Sequence, residues 1–366
     1  MQFDRAYTDL KIFHHYDKIK EMSEGKQPYP LSLRISVSDL CNHNCHFCTF
    51  RMENSNTNKT FGEFDTKKGV MNYNPKRFLS KEKTLEIIDD CKKMGIKSIE
   101  FTGGGEPTVH PNHVMFFEKV IENGIDLGLI SNGALMKKGF ADIILKAAWC
   151  RFSIDAGNKK TYSKIREVPE KIFDKVLKNI KELTDKKKRE NSNVVIGTSF
   201  IVTDQNYLEV YRCAKLMNAL GVNYFRIGYY RTDTGFAAGD YNVVMKQIKK
   251  AQKEFNRSDF KVIDRYGEAS ENLDNSPDYK FCAYQHISTW ISADYNVYRC
   301  CVTSYDASGL VGSIKDQSFK TLWDSDAKKN NMKNFNAMGC NHCIYNKKNK
   351  VLNYVISHKP DHVNFM

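Results

Sequence analysis

The chain has no apolar run near the roughly 18 residues that a bilayer crossing needs, so a membrane-spanning helix has no support. Its N-terminal stretch, MQFDRAYTDLKIFHHYDKIK, lacks the apolar core of a secretory signal. Prolines number only 8, and 41% apolar residues against 27% charged ones argue against disorder or a collagen-like repeat. There is no arginine-rich arm, no RNA-binding signature and no internal repeat, which disfavours nucleic acid as a partner. These absences point to an ordered cytoplasmic protein whose 366 residues suffice for one barrel with an appendage, its thiols reduced. What remains is charge and sulfur. A net charge of +13 suits either a solvated surface or an anionic partner, such as a phosphorylated substrate or an acidic electron-transfer protein. The 11 cysteines are too few to staple a disulfide miniprotein and need another explanation.

Short β-branched runs alternate with helical stretches between residues 30 and 230. Strands are expected near Leu33 to Val37, Ser98 to Phe101, Asp126 to Ile130, Trp149 to Asp155, Val194 to Val202 and Tyr224 to Ile227. Ser80 is a fitting N-cap for a helix with Leu85, Ile88, Cys91 and Met94 on one stripe, stopped at Gly95. Further helices are expected over Phe173 to Asp185 and Asn206 to Leu220. This is an α/β pattern, a partial (β/α)6 barrel over residues 31–235. Residues 1–30 form an N-terminal extension, and Arg51 to Arg77 reads as a polar inserted loop. A connection over 236–275 leads to a small α+β cysteine-rich unit over 276–350, with a hairpin of Ile287 to Ser292 and Val297 to Cys301; residues 351–366 are a tail.

Cys41, Cys45 and Cys48 stand as C-NHN-C-HF-C directly after the first strand. Three neighbouring thiols can converge on one metal centre, whereas disulfides would leave one thiol over in a reducing compartment. A closed zinc site would need a fourth ligand, which His43 or His46 could supply. The C-x3-C-x2-C spacing, with Phe47 before the last cysteine, resembles the cluster motif of the radical SAM superfamily. The resemblance implies that three cysteines hold three irons of a 4Fe-4S cluster and leave the fourth iron open to S-adenosylmethionine (SAM).

Residues downstream fit the same resemblance. Gly103, Gly104, Gly105 and Glu106 follow the second strand and look like the family's motif for the SAM amino group. Glycines permit close backbone approach there, and a carboxylate can accept from an ammonium. Asn132 lies in a Ser-Asn-Gly turn resembling that of the family. Ser153, Asp155 and Arg166 resemble a pattern whose polar groups reach the SAM ribose or carboxylate. Period-two geometry would set Ser153 and Asp155 on one strand face lining the barrel. The ordinary alternative for Arg166 is a surface ion pair. Strand five contains Gly197 but no glutamate, so the family's motif there is not evident, and Phe225 to Gly228 is only a regional expectation.

Five more cysteines, Cys282, Cys300, Cys301, Cys340 and Cys343, sit in the last third. Four thiolates would satisfy a zinc knuckle. Their spacing, with a helix carrying Trp323 and a terminal C-x2-C, resembles the SPASM/twitch-type auxiliary-cluster domain. That resemblance implies one auxiliary 4Fe-4S cluster on Cys282, Cys300, Cys340 and Cys343. Adjacent strand residues face opposite ways, so one of Cys300 and Cys301 is expected to turn from the cluster. Cys301 is then the candidate hydrogen-atom donor, while Cys91, Cys150 and Cys213 lie on apolar stripes and are expected to be packing.

Taken together, the resemblance implies a radical SAM enzyme that reductively cleaves SAM and abstracts hydrogen from a small polar, possibly anionic, substrate of the sugar, aminocyclitol or nucleotide type. A flavodoxin- or ferredoxin-type protein would supply electrons. Oxidation is favoured over epimerisation, which would need a donor thiol such as Cys301. The short stretch before the core is expected to be too small for a leader-peptide-binding unit, which favours a small substrate, and a peptide- or protein-modifying radical SAM enzyme is the first alternative. A zinc-binding, nucleic-acid-associated protein is the non-catalytic alternative.

Overall fold

Alternation of apolar and polar residues builds the central sheet. A computed structural model describes residues 8–50, 64–65, 70–71, 77–229, 231–232, 235–236, 239–267, 276–340, 343–357, 361–362 and 364. The loop expected between Arg51 and Arg77 lies almost wholly outside the described residues, as do parts of the 236–275 connection and of the tail. Ten strands are joined: β1 (Ser32–Ile35), β2 (Ser98–Phe101), β3 (Asp126–Ser131), β4 (Trp149–Ser153), β5 (Val195–Val202), β6 (Tyr224–Tyr229), β7 (Lys261–Asp264), β8 (Ser288–Ile291), β9 (Asn296–Tyr298) and β10 (Leu310–Ser313). Their order in the sheet is β7-β6-β5-β4-β3-β2-β1-β8-β9-β10. Every pair from β7 to β8 is parallel, and the antiparallel pairs of this sheet are β8 with β9 and β9 with β10.

Odd and even positions part cleanly on β1, β2 and β4. Leu33, Ile35, Ile99, Phe101, Leu129, Cys150, Phe152, Ile196, Phe200, Phe225 and Ile227 are fully buried beneath the helices. Each such side chain contributes roughly 1.5–3 kcal/mol on leaving water. The opposite face carries Arg34, Glu100, Gly128, Arg151, Ser153, Tyr224 and Arg226, which line an interior cavity of ≈ 3200 Å³. A closed (β/α)8 barrel fills that space with branched aliphatic layers; here these inward positions carry charged, polar and aromatic side chains and the space is open.

The helices follow the expected signals with shifted ends. Ser80 caps α1 (Lys81–Lys93) by accepting from Lys83 N at 3.1 Å, and Gly95 ends it at φ +71°. After β4 come α2 (Lys159–Arg166) and α3 (Lys171–Arg189), and α4 (Val210–Leu220) follows a 3-10 turn over Tyr207–Glu209. Cys91, Cys150 and Cys213 are wholly buried, and burial pushes all three thiol pKa values up.

Three features differ from the expected organisation. The strand β7 was not foreseen, because Lys261–Asp264 is short and half polar. The cysteine-rich region is not set apart: β8 pairs parallel with β1 from Ser32↔Ser288 to Ile35↔Ile291, covering an edge that would otherwise be unpaired. Helix α5 (Asn346–Ser357) likewise places Leu352 in a small core with Ala283, Tyr284 and Ile287 and with Ile12, Ile19 and Met22 of the N-terminal extension. Finally, β9 ends at Tyr298 after a register shift, so Cys300 and Cys301 lie in a bend where strand alternation does not sort them.

Candidate active site

The cysteine loop is clamped between β2 and α2. Its entry, residues 36–40, lies against the Gly103–Gly105 turn: Gly104 N donates to Ser36 Oγ at 3.0 Å, Gly105 N to Ser38 O at 2.9 Å and Glu106 N to Leu40 O at 2.9 Å. A Cβ on Gly105 would stand 2.2 Å from Leu40 O, which backbone atoms cannot accommodate, so this position requires glycine. On the other side, Asn44 N and His46 N donate to the carbonyls of Arg166 and Ile165, which the C-terminal end of α2 leaves open.

Glu106 is buried and already well supplied with donors. Its Oε1 accepts from Thr108 N (3.0 Å), Thr108 Oγ1 (2.7 Å) and Ser131 Oγ (2.8 Å), and its Oε2 from Asn132 N (2.7 Å). Burial pushes its pKa up, against the lowering by these donors. A carboxylate has about four lone-pair sites, so Oε2 retains capacity for one more donor. Asn132 donates from Nδ2 to Asn42 Oδ1 at 2.7 Å and stands 3.9 Å from Cys41 Sγ.

Asp155 and Arg166 are arranged differently from the expected strand face. Strand β4 stops at Ser153, and Asp155 takes φ +58°, a left-handed conformation uncommon outside glycine. Its carboxylate pairs with the Arg166 guanidinium and accepts from Ile201 N at 2.7 Å. Burial raises the Asp155 pKa, opposed by the charge of Arg166. Arg166 is equally buried, lies 5.3 Å over the Tyr162 ring, and extends Nη1 to within 3.7 Å of Cys45 Sγ. It is thus an internal ion pair rather than the surface pair of the ordinary reading. Ser153 and Phe47 both line the cavity, and Phe47 meets His46 edge-on at 5.3 Å.

The donor set of this loop fits an iron–sulfur cluster. Cys41, Cys45 and Cys48 all border the cavity, and two of them have an N–H donor near sulfur, from Asn132 and Arg166, as suits thiolate ligands. Among the described residues no three Cys, His, Asp or Glu side chains close tightly enough on a point to hold one metal ion. Thiolates that each bind a separate iron stand further apart than ligands of a single zinc.

The second cysteine set gathers below β8 and β9. Burial pushes Cys282 and Cys300 up to about 12, and Cys340 and Cys343 also rise. Charge on Cys343 and Cys340 contributes at Cys282, charge on Cys301 and then on Cys282 at Cys300, and charge on Cys301 at Cys343, so all five thiols lie within electrostatic reach of one another. Arg299 stands beside them, 5% exposed, donating to Gln285 Oε1 at 2.7 Å and lying 4.1 Å from the Phe335 ring centroid. Its pKa falls to about 10 through burial, opposed by Cys282, Cys300 and Cys340. Cys300 turns to Thr303 Oγ1 at 3.5 Å, whereas Cys301 turns into the cavity. There Cys301 Sγ lies 3.0 Å from Tyr345 OH and 3.2 Å from Arg34 Nη1, and Tyr345 stacks on Tyr284 at 3.6 Å.

Several residues escaped the sequence reading. Asp39 is fully buried, held by Arg77 Nε at 2.7 Å and by the Tyr305 hydroxyl, and burial pushes its pKa up to about 6. Tyr305 comes from the bend after Cys301, so this contact joins the two cysteine regions. No pattern announces it. Arg34 and Arg299 did leave a trace: one interrupts the apolar β1 at an inward position, and the other directly precedes the Cys300–Cys301 pair.

Comparison with known proteins settles the family. A family model described as the Radical SAM superfamily matches residues 35–217. The chain belongs to the radical SAM superfamily. Its members use a 4Fe-4S cluster together with SAM, which accords with the cysteine loop and the cavity. A probable GTP 3′,8-cyclase of Saccharolobus islandicus is 29% identical over 197 residues, 52% of this chain and 54% of that protein. A GTP 3′,8-cyclase of Desulforamulus reducens is 34% identical over 137 residues, 36% of this chain and 37% of that protein. The chain therefore spans about half the length of the curated relatives it matches, or less. Among solved radical SAM structures, Streptococcus suis SuiB bound to precursor peptide SuiA superposes with a TM-score of 0.62 at 15% identity, over 91% of this chain and 73% of that one. The SAM-bound form of SuiB gives 0.62 at 16% identity, over 90% and 76%. At such identity the likeness is one of fold. No described helix is long and apolar enough to cross a membrane.

Proposed function

We propose that this radical SAM enzyme abstracts a hydrogen atom from a small polar substrate and carries it through a two-electron oxidation. The observation that carries the reading is a shared opening: Cys41, Cys45 and Cys48, the Gly103–Gly105 turn with Glu106, Asn132 and Ser153 all border one cavity at the C-terminal ends of β1 to β4. In this reading the three cysteines hold the 4Fe-4S cluster. The glycine turn gives SAM close access to backbone, Glu106 Oε2 takes its ammonium, and Asn132 and Ser153 meet its remaining polar groups. Arg166 and Asp155 act as a positioning pair, fixing α2 behind the cysteine loop. Bound there, the cluster would supply the electron that splits SAM into methionine and a 5′-deoxyadenosyl radical. The polar lumen would orient one C–H bond of the substrate toward that radical and exclude competing water.

Cys282, Cys300, Cys340 and Cys343 would hold an auxiliary 4Fe-4S cluster in a unit over 276–350, an acceptor for the electron that the substrate radical loses; its proton passes to solvent. A flavodoxin- or ferredoxin-type donor would reduce the catalytic cluster. The names of the cyclase relatives support a nucleotide-type member of the small-substrate class. One observation favours a second outcome: Cys301 opens into the cavity, where its S–H could return a hydrogen atom and give epimerisation.

Anaerobic purification followed by dithionite and SAM tests the proposal. The expected result is about eight irons per chain and formation of 5′-deoxyadenosine. A brown protein that never cleaves SAM would overturn it. A deuterated substrate separates the outcomes: oxidation leaves a product two hydrogens poorer, and epimerisation returns one solvent-derived hydrogen.

A further inference from the structure

A buried arginine stands beside each cysteine set, and the two differ in what meets their charge. Arg166, which reaches Cys45, is bound to the Asp155 carboxylate, so its charge is offset. Arg299, directly before Cys300, is 5% exposed and has only neutral acceptors. Its Nη1 donates to Gln285 Oε1 at 2.7 Å, its Nη2 to Asn331 O at 3.2 Å and to Asn331 Oδ1, and its Nε to Ser308 O at 3.4 Å. The Phe335 ring covers it, 4.1 Å from the ring centroid. Among the described residues no Asp or Glu pairs with it. Its neighbours of opposite sign are cysteines. Gln285 lies in the turn that follows Cys282, and Phe335 leads into the Ala337–Gly339 turn that ends at Cys340. Charge on Cys282, Cys300 and Cys340 acts on Arg299, and that of Arg299 acts on Cys282 and Cys340. Charge on Asp306 also reaches Cys340, but less than that of Arg299 does, and its Oδ1 is engaged by Ser308 N at 2.8 Å. Cys343 is approached by a neutral donor, Asn349 Nδ2 at 3.8 Å.

A guanidinium keeps its charge when buried, and a buried charge with no opposite charge against it is strongly unfavourable. Four thiolates outweigh the charge of the irons they hold, so a cluster on Cys282, Cys300, Cys340 and Cys343 is an anion of the kind Arg299 lacks. We propose that Arg299 is the internal counter-ion of the auxiliary cluster, and that its charge lifts the reduction potential there above that of the Cys41–Cys48 cluster, which directs the substrate radical's electron to the second set. Reduction adds one negative charge, and a fixed cation in water-poor surroundings favours the reduced form over the oxidised one. No bond of Arg299 forms or breaks: one electron leaves the substrate radical and enters the auxiliary cluster, and the proton goes to solvent. Arg299 acts through the cluster and is not a catalytic residue. The inference rests on the auxiliary cluster of the proposed function.

The test is a redox titration of the anaerobically purified holoenzyme followed by electron paramagnetic resonance, with a Cys41→Ala, Cys45→Ala, Cys48→Ala variant to isolate the auxiliary signal. In Arg299→Gln the ratio of reduced to oxidised auxiliary cluster at the parent's midpoint should fall about tenfold, a downward shift of about 59 mV for one electron, with the Cys41–Cys48 potential unmoved. Arg299→Lys keeps the charge and loses the fork, so it should hold most of the parent's potential. Gln285→Glu leaves Arg299 in place and gives it a carboxylate, so the potential should fall there too; this variant decides the matter if Arg299→Gln does not retain its iron. Lys329→Gln removes a solvated charge paired with Asp326 and should change nothing. An unchanged auxiliary potential in the deciding variant, a fall in Arg299→Lys as large as in Arg299→Gln, a fall in Lys329→Gln, or an auxiliary potential in the parent below that of the Cys41–Cys48 cluster would overturn the inference. A parent with about four irons would remove the auxiliary cluster itself, whereas about eight irons with an unmoved potential would remove only the role of Arg299.

Discussion

The two cysteine sets reach their geometry by opposite routes. Cys41, Cys45 and Cys48 are neighbours in sequence, so any loop there brings them near, and tertiary structure supplies their surroundings: the glycine turn, Asn132 and Arg166. Cys282, Cys300, Cys340 and Cys343 are scattered, and only the pairing of β8 with β1 and the docking of α5 bring them together. The first set is a local feature that needs precise company, whereas the second closes long loops and ties the chain's last third to its first strand. Function is expected to concentrate at the first set and stability at the second.

The largest effect should separate them outright. A Cys41→Ala, Cys45→Ala, Cys48→Ala variant should lose about four irons and all 5′-deoxyadenosine formation, yet unfold near the parent's denaturation midpoint. A Cys282→Ser, Cys343→Ser variant should also lose about four irons, but with a marked drop in that midpoint, because metal binding at long-range ligands is part of the folding free energy. Iron analysis beside chemical denaturation reads both. Equal loss of stability in the two variants would break the contrast.

A smaller effect probes the company rather than the ligands. Gly105→Ala drives a Cβ against the Asp39–Leu40 backbone, 2.2 Å from Leu40 O, and should cost about 1–3 kcal/mol while weakening SAM binding. Gly339→Ala, beside Cys340, meets nothing within 4 Å and should be near neutral. Paired denaturation midpoints and SAM affinities decide it.

This difference also explains what the sequence could disclose. Four of the six core strands were legible because Leu33, Ile99, Phe152 and Phe225 alternate with polar or amphipathic residues, and the other two because Asp126–Ser131 and Val195–Val202 are apolar-rich runs. The Cys41–Cys48 loop was legible because its spacing is its geometry. Lys261–Asp264 offered too few residues for a period, and β8 gave no sign that its partner would be β1. The strand assumed to carry Cys300 and Cys301 ends at Tyr298, so their opposite directions come from a bend that alternation does not describe. Asp155 left its expected strand face because β4 stops at Ser153 and Asp155 itself is left-handed, its carboxylate paired with Arg166. Contacts between distant polar groups, such as Asp39 with Tyr305, have no local signature at all.

Acid should act on the two regions in opposite senses. His286, stacked on Phe281 beside the second set, has its pKa pushed down to about 3 by burial and by the charges of Lys328 and Arg299. Unfolded, it protonates near 6.5, so its stability contribution is present above that value and is lost as pH falls from about 6.5 toward 3. Glu106 at the first set has a raised pKa, so its contribution is present at low pH and falls as pH rises above the ordinary carboxylate range. Between pH 7 and 5.5 the denaturation midpoint should drop by the equivalent of about 1–1.5 kcal/mol, and His286→Gln should flatten that slope. A slope unchanged in the variant would remove His286 from the account.

The smallest change falls on the contact joining the two regions. Tyr305 adopts φ +62°, a conformation that a bulky residue holds only when its surroundings fix it. What fixes it is the hydroxyl on Asp39, the ring under Arg77 at 5.8 Å, and the Phe50 ring edge-on at 5.8 Å. Tyr305→Phe keeps both ring contacts and removes one donor from a buried carboxylate that Arg77 still serves, so stability should fall by only about 1 kcal/mol. The consequence for the comparison is larger than that figure. If the sets are independent, the variant should alter the midpoint alone; if the Asp39 contact transmits the position of the C-terminal bend to the cysteine loop, the KM for SAM should rise with kcat little changed. Tyr305→Leu, which removes the ring as well, should then enlarge both effects in the same order.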